Sequence, residues 1–121
     1  MNLTKSQLLN HLEQFIGTEY YYPLWPKVML TDGTRYLADT AGCYWLMDAI
    51  SSHLKRLPKD ETFISSKLTV DNGKAQLNIE DGNGQILATQ QIPYTDFPLE
   101  EIVLFACWDQ KHWVIMLPGE Y

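Results

Sequence analysis

Ile64-Ser65-Ser66-Lys67-Leu68-Thr69-Val70, Ala75-Gln76-Leu77-Asn78-Ile79 and Ile86-Leu87-Ala88-Thr89-Gln90-Gln91-Ile92 decide the fold class, because polar and apolar residues alternate along each run. A period of two sends successive side chains to opposite faces of a strand, so the stretch predicts three antiparallel strands with one wet face. Asp71-Asn72-Gly73 and Asp81-Gly82-Asn83-Gly84 between them have turn composition. Two later runs, Ile102-Val103-Leu104-Phe105-Ala106-Cys107-Trp108 and Trp113-Val114-Ile115-Met116-Leu117, are apolar at consecutive positions and flank the loop Asp109-Gln110-Lys111-His112. Strands of that kind need cover on both faces or a second chain against one of them. The expected sheet is therefore an antiparallel meander of about five strands.

Upstream the period is helical. Thr4 and Gln7 form a capping box, Leu3 can staple onto Leu8, and Leu8, Leu12, Phe15 and Ile16 share one face ahead of Gly17, which predicts a first amphipathic helix. Tyr20-Tyr21-Tyr22-Pro23-Leu24-Trp25-Pro26 contains two prolines and reads as an extended connector. Asp32-Gly33 between Val28-Met29-Leu30-Thr31 and Thr34-Arg35-Tyr36-Leu37 reads as the turn of a short hairpin. A second helix is expected from about Ala41 to Leu54, capped by Asp39 or Thr40, with Trp45, Leu46 and Ile50 turned to the core. The expectation is one α+β domain over residues 1–121, two N-terminal helices with a short hairpin between them packed on the sheet.

The 121 residues carry nine Lys and Arg against fifteen Asp and Glu, a formal charge of −6. Residues 1–57 balance at five basic and five acidic, so the whole excess lies in residues 58–121, where four basic side chains face ten acidic ones. That balance argues against direct nucleic-acid binding, which rests on displacing counterions from phosphates with basic side chains. No apolar run approaches the roughly 20 residues of a membrane span, and the first residues lack a signal-peptide pattern, so a cytoplasmic protein is expected with no membrane partner. Cys43 and Cys107, 64 positions apart among apolar neighbours, read as buried thiols.

Catalytic patterns are thin. Cys43 at a helix start could be an activated nucleophile, but His53 lies about 15 Å further along the same helix, which leaves only His112 as a base. His11, His53 and His112 are scattered and neither Cys has a close second ligand, so no metal is expected. Ile86 stands where a calcium loop needs glycine, Gly82 and Gly84 sit between strands instead of opening a helix, and no cofactor motif is present. Glu100-Glu101 reads as solvated strand flank. Fifteen carboxylates can still pair in space without any sequence signature, so a Cys- or carboxylate-dependent hydrolase is the weakest alternative.

Two stretches carry a resemblance: Thr31-Asp32-Gly33-Thr34 with Ala41-Gly42-Cys43-Tyr44-Trp45-Leu46, and Pro93-Tyr94-Thr95-Asp96-Phe97-Pro98. They resemble an uncharacterised family of small bacterial proteins, frequent in cyanobacteria and on mobile elements, with a Tyr-Thr-Asp-Gly turn, an Ala-Gly-x-Tyr-Trp-Leu helix and a Pro-Tyr-Thr-Asp-Phe-Pro loop. The C-terminal Leu117-Pro118-Gly119-Glu120-Tyr121 is similar to that family's Leu-Pro-Ser-Glu-Tyr close. Leu30 and Gly119 depart from the pattern, where the family tends to have Tyr and Ser. The resemblance implies a fold and no activity.

The aromatic load outside the expected core is the functional signal. Tyr and Trp offer large contact area at little rotamer cost together with a polar handle. Asp32, Tyr36, Tyr44, Tyr94, Asp96 and Phe97 lie in polar-aromatic segments that repeat a Thr-Asp pair, and they form the candidate binding surface; the plainer reading has each Asp bonding its own backbone and each ring closing the core. The expected function is a non-enzymatic protein-interaction domain with an unidentified protein partner, and the doubly apolar strands call for a homodimer. The alternatives are a small-molecule binder with an aromatic pocket between helix 2 and the connector, and an acidic decoy encoded by a mobile element.

Overall fold

The computed structural model describes residues 3–121, which fold as an α+β structure with three α-helices and seven strands. In chain order these are α1 (Lys5–Glu13), β1 (Tyr22–Trp25), β2 (Val28–Leu30), α2 (Asp32–Ala41), α3 (Tyr44–Leu54), β3 (Phe63–Asp71), β4 (Lys74–Asp81), β5 (Ile86–Ile92), β6 (Glu101–Trp108) and β7 (Trp113–Met116). A 3-10 turn, Pro118–Glu120, ends the chain. The expected class stands, but the helix count, the strand count and the topology differ.

The sheet order is β1-β2-β7-β6-β3-β4-β5, antiparallel throughout except where β2 runs parallel to β7. β3, β4 and β5 form the expected meander. β6 does not continue it beside β5; it returns to pair with β3, from Phe63 opposite Cys107 to Thr69 opposite Glu101. Three hairpin-linked strands with a fourth returning beside the first make a Greek key. The returning segment, residues 93–100, crosses the sheet end and buries Phe97 and Leu99, while Thr95 N–H donates to the Gly73 carbonyl at 2.7 Å. This placement explains the apolar composition of β6, which occupies the middle of the sheet.

The Asp32-Gly33 hairpin is overturned. Thr31 caps α2: its hydroxyl accepts from Thr34 N–H at 3.2 Å, and the Thr34 hydroxyl accepts from Thr31 N–H at 2.9 Å. In a strand Arg35 and Leu37 would share a face, whereas helical spacing buries Thr34, Leu37 and Ala38 together and leaves Arg35 and Asp39 outside. The hairpin falls one element earlier, between β1 and β2 across Pro26-Lys27, so part of the expected connector is an edge strand. The expected second helix is α3, ending at Leu54 as expected but starting three residues later than Ala41: Gly42, at φ 62°, ends α2 in the left-handed region, and α3 starts from Cys43, with no side-chain cap from Asp39 or Thr40. α1 stops at Glu13, short of Gly17, which leaves Ile16 exposed.

The helices cover one face of the sheet. Leu8, Leu37, Leu46, Met47 and Ile50 meet Ile64, Leu68, Leu77, Ile79, Leu104 and Ile115 in one continuous core, with Trp45 half-buried at its margin. On the opposite face Val103, Phe105, Cys107, Phe63 and Met116 are half-buried, and Tyr121 packs edge-on against Phe63 and Phe105 with ring centroids 5.4 and 5.6 Å away.

The C-terminal turn docks on the start of α2. Glu120 Oε1 accepts from the Thr31 hydroxyl at 2.7 Å and from Leu117 N–H at 3.0 Å, and Oε2 accepts from Gly33 N–H at 3.0 Å. The Thr34 hydroxyl donates to the Ile115 carbonyl at 2.8 Å. A Cβ on Gly33 would lie 2.6 Å from both Glu120 Oε1 and Leu117 Cδ1, so residue 33 is glycine for close approach. Gly33→Ala and Glu120→Ala are each expected to destabilise by about 1–3 kcal/mol, by overpacking and by stranding three donors respectively. In urea denaturation the double variant should fall short of additivity by about 1 kcal/mol; strictly additive losses would mean that the two residues act separately.

Candidate functional site

The outward face of α2 carries Asp32, Arg35 and Asp39 at helical spacing, and each is held by an aromatic or backbone partner. Asp32 Oδ2 accepts from Glu19 N–H at 2.8 Å and Oδ1 from the Tyr22 hydroxyl at 2.7 Å, while Asp32 N–H donates to the Thr18 hydroxyl at 2.8 Å. The Arg35 guanidinium lies 4.3 Å above the Tyr22 ring and its Nε is 3.7 Å from Asp39 Oδ2. The Tyr44 hydroxyl donates to Asp39 Oδ1 at 2.6 Å. Tyr22, Asp32, Arg35, Asp39 and Tyr44 thus form one chain of contacts from β1 along α2 to the start of α3.

The electrostatics follow the bonds. The Glu19 N–H and the Tyr22 hydroxyl hold the Asp32 carboxyl below the usual carboxylate value. Tyr22 and Tyr44 are raised above the ordinary phenol value, first because each donates to a carboxylate, Asp32 and Asp39 respectively. Each hydroxyl keeps its proton as donor.

Of the six residues expected to form the binding surface, the structure brings three to this face. Asp32 opens α2, Tyr44 closes the chain of contacts, and Asp96 lines a hollow of about 540 Å³ with Asp39 and Gly42 at the far end of α2. Asp32 and Asp96 therefore sit at opposite ends of a ten-residue helix, about 15 Å long. Tyr36 turns toward α1, where its hydroxyl meets His11 Nδ1 at 2.6 Å and its ring packs on Phe15. Phe97 is core, and Tyr94 is 81% exposed.

A second cluster escaped sequence reading. Trp108 and Trp113 pair across β6 and β7 with ring centroids 5.8 Å apart, and with Leu57, Pro58 and the lysines Lys27, Lys55 and Lys59 they line a cavity of about 480 Å³. Lys55 and Arg56 extend into an adjoining hollow of about 280 Å³ beside Trp25, whose indole N–H donates to Asp48 Oδ1 at 2.8 Å. The run Lys55-Arg56-Leu57-Pro58-Lys59 was the available signal, but no local pattern ties it to Trp108 and Trp113, about fifty positions away.

Neither thiol is set up as a nucleophile. Cys43 is fully buried, its Sγ lies 3.6 Å from the Leu37 carbonyl, and burial pushes its pKa up to about 12. Burial raises Cys107 as well, on the outer sheet face. His112 Nδ1 lies 3.7 Å from Asp109 Oδ2 in the β6–β7 turn. No helix among the described residues is long and apolar enough to cross a membrane.

The Asp32 bonds make a pH prediction. A carboxyl whose folded value is depressed contributes stability that is full above its unfolded value, about 3.9, and lost as pH falls through the folded one. Thermal melts from pH 6 downward should show a shallower acid decline for Asp32→Asn than for the wild type; parallel curves would refute the Asp32 contribution.

The fold recurs in a solved protein. A crystal structure of a protein of unknown function from Enterococcus faecalis has a TM-score of 0.57 to this chain at 19% identity, covering 79% of this chain and 91% of that one, which is a likeness of fold. Among curated proteins none matches the chain. Residues 6–121 match the family model described as a family of unknown function, DUF6876. That span takes in the docked Thr31–Glu120 pair, the α2 face and the returning loop alike, and the chain belongs to the DUF6876 family.

Proposed function

We propose that this chain is a non-enzymatic protein-interaction domain whose recognition face is the tyrosine–carboxylate surface of α2. The observation that carries the reading is the pair of hydrogen bonds from Tyr22 to Asp32 and from Tyr44 to Asp39, at 2.7 and 2.6 Å. They hold the exposed Tyr44 ring at the surface, and the half-buried Tyr22 ring beneath the Arg35 guanidinium, before any partner arrives, which lowers the ordering cost of association. Asp32, Asp39 and Asp96 against the single cation Arg35 make this face acidic, so the matching partner surface is basic. The protein would act as a single binding domain by occupying such a surface, as an acidic decoy does. Burial of Cys43 supports the non-enzymatic reading.

Capture from the native cell tests it. Wild type and the triple variant Asp39→Asn, Tyr44→Ala, Asp96→Asn should melt alike, and the wild type should retain a basic protein that the variant loses and that elevated salt releases. Equal retention by both refutes the α2 face.

A second reading, homodimerisation, is favoured by the half-buried Phe63, Val103, Phe105 and Met116 on the face opposite the helices. Sedimentation at micromolar concentration should then give twice the 14.0 kDa of one chain, and Phe105→Lys should restore the single-chain mass. A wild type that sediments at 14.0 kDa ends this reading.

A further inference from the structure

We propose that the groove floored by Trp108 and Trp113 binds a small amphiphilic anion, an apolar flat or chain-like body bearing one carboxylate. This site is separate from the α2 face and does not depend on it. Three of the four tryptophans and four of the nine Lys and Arg residues of the chain surround this groove and its neighbour. For a protein with a net charge of −6 that is a marked concentration of positive charge. Lys27, Lys55, Arg56 and Lys59 make no ion pair within 4 Å among the described residues. Asp48, the one carboxylate lining the adjoining hollow, is engaged by the Trp25 indole, and Glu61 is the one acid lining the larger cavity.

The plainer account of cations here is the negative pole at the C-terminal end of α3. It covers Lys55 and Arg56, which directly follow that helix. It does not cover Lys27, which comes from the β1–β2 turn, or Lys59, which lies beyond Pro58. Lys27 also stands at φ 67°, in the left-handed region that favours glycine. The Trp113 N–H donates to the Lys27 carbonyl at 2.7 Å, which joins that turn to the groove floor.

The shape selects the ligand. A volume of about 480 Å³ falls within the small-molecule range, and the two indoles, tilted 56° to each other, with Leu57 and Pro58 supply an apolar slot below a charged rim. An extended polyanion such as single-stranded nucleic acid would also have to approach the acidic remainder of the molecule, which disfavours it.

Anilinonaphthalene sulfonate, a flat aromatic anion, is the probe, with uncharged N-phenyl-naphthylamine as its neutral counterpart. The full chain should bind the anion at one saturable site with energy transfer from tryptophan, and the neutral compound about tenfold more weakly. Decanoate and indole acetate distinguish a chain-like from a flat natural ligand, and displacement by either supports the carboxylate class. The decisive variant is Lys27→Gly with Lys59→Gln, since glycine relieves the backbone at position 27 and the fold should melt at or above the wild-type temperature. Its affinity for the sulfonate should fall about tenfold. The proposal is overturned if that variant binds as well as wild type, which would place the probe on the outer sheet face. Equal binding of the neutral compound, displacement by neither carboxylate, or tighter binding of oligothymidylate would overturn it equally.

Discussion

The carboxylate of Glu120 is where the two halves of the chain are joined. Because β2 and β7 run parallel, with Leu30 beside Ile115, both strands leave the sheet at the same end. The residues that follow, Thr31 on one side and Leu117 to Glu120 on the other, must then share one small volume. The Gly33 N–H and the Thr31 hydroxyl on one segment and an acid on the other resolve that meeting, since a helix start is short of acceptors and carries partial positive charge. Gly33 makes room for the acid and the Thr34 hydroxyl reaches the Ile115 carbonyl, so the beginning of α2 is tied to the end of β7. The direction of α2 follows from that attachment, as do the face it buries with Leu37 and Ala38 and the face it exposes with Asp32, Arg35 and Asp39.

α3 runs between two surfaces of opposite charge. α3 starts beside Asp39 and Tyr44 and ends at Lys55 and Arg56, so its 11 residues separate an acidic surface from a basic one by about 16 Å. Over such a distance, comparable with two Debye lengths at physiological ionic strength, each surface presents its own field to solvent. A net charge of −6 conceals this arrangement, because the acidic excess is carried largely by the strands and their turns.

Burial and hydrogen bonds set the protonation of the polar groups around α2 and α3. The deepest thiol, Cys43, is held as a neutral group by burial, and the tyrosine hydroxyls that touch carboxylates are held as donors. These groups fix rings and helix ends in place. Ser66, opposite Leu104 and Ile79 in the core, keeps a buried hydroxyl without a partner among the described residues.

Local physics determined what the sequence could disclose by itself. The alternation in Ile64–Val70 and Ala75–Ile79, the Asp-Asn-Gly turn, and the Thr4–Gln7 capping box each act over a few residues, and β3, β4, β5 and the start of α1 are all where those patterns point. Asp32-Gly33 was misleading because a turn dipeptide and the first turn of a helix have the same local composition; what distinguishes them is an acceptor, Glu120, that is 87 positions away. The return of β6 to β3 and the parallel pairing of β2 with β7 were equally illegible, since an apolar strand carries no label for its neighbour. Of the candidate surface, Asp32 and Tyr44 were readable as polar-aromatic positions, but their link through Arg35 and Asp39 depends on helical spacing that the hairpin reading denied. The tryptophan–lysine groove was decided by tertiary structure alone, because strand order sets Trp108 and Trp113 below the end of α3, and burial and field strength belong to that assembled volume and to no segment of the chain.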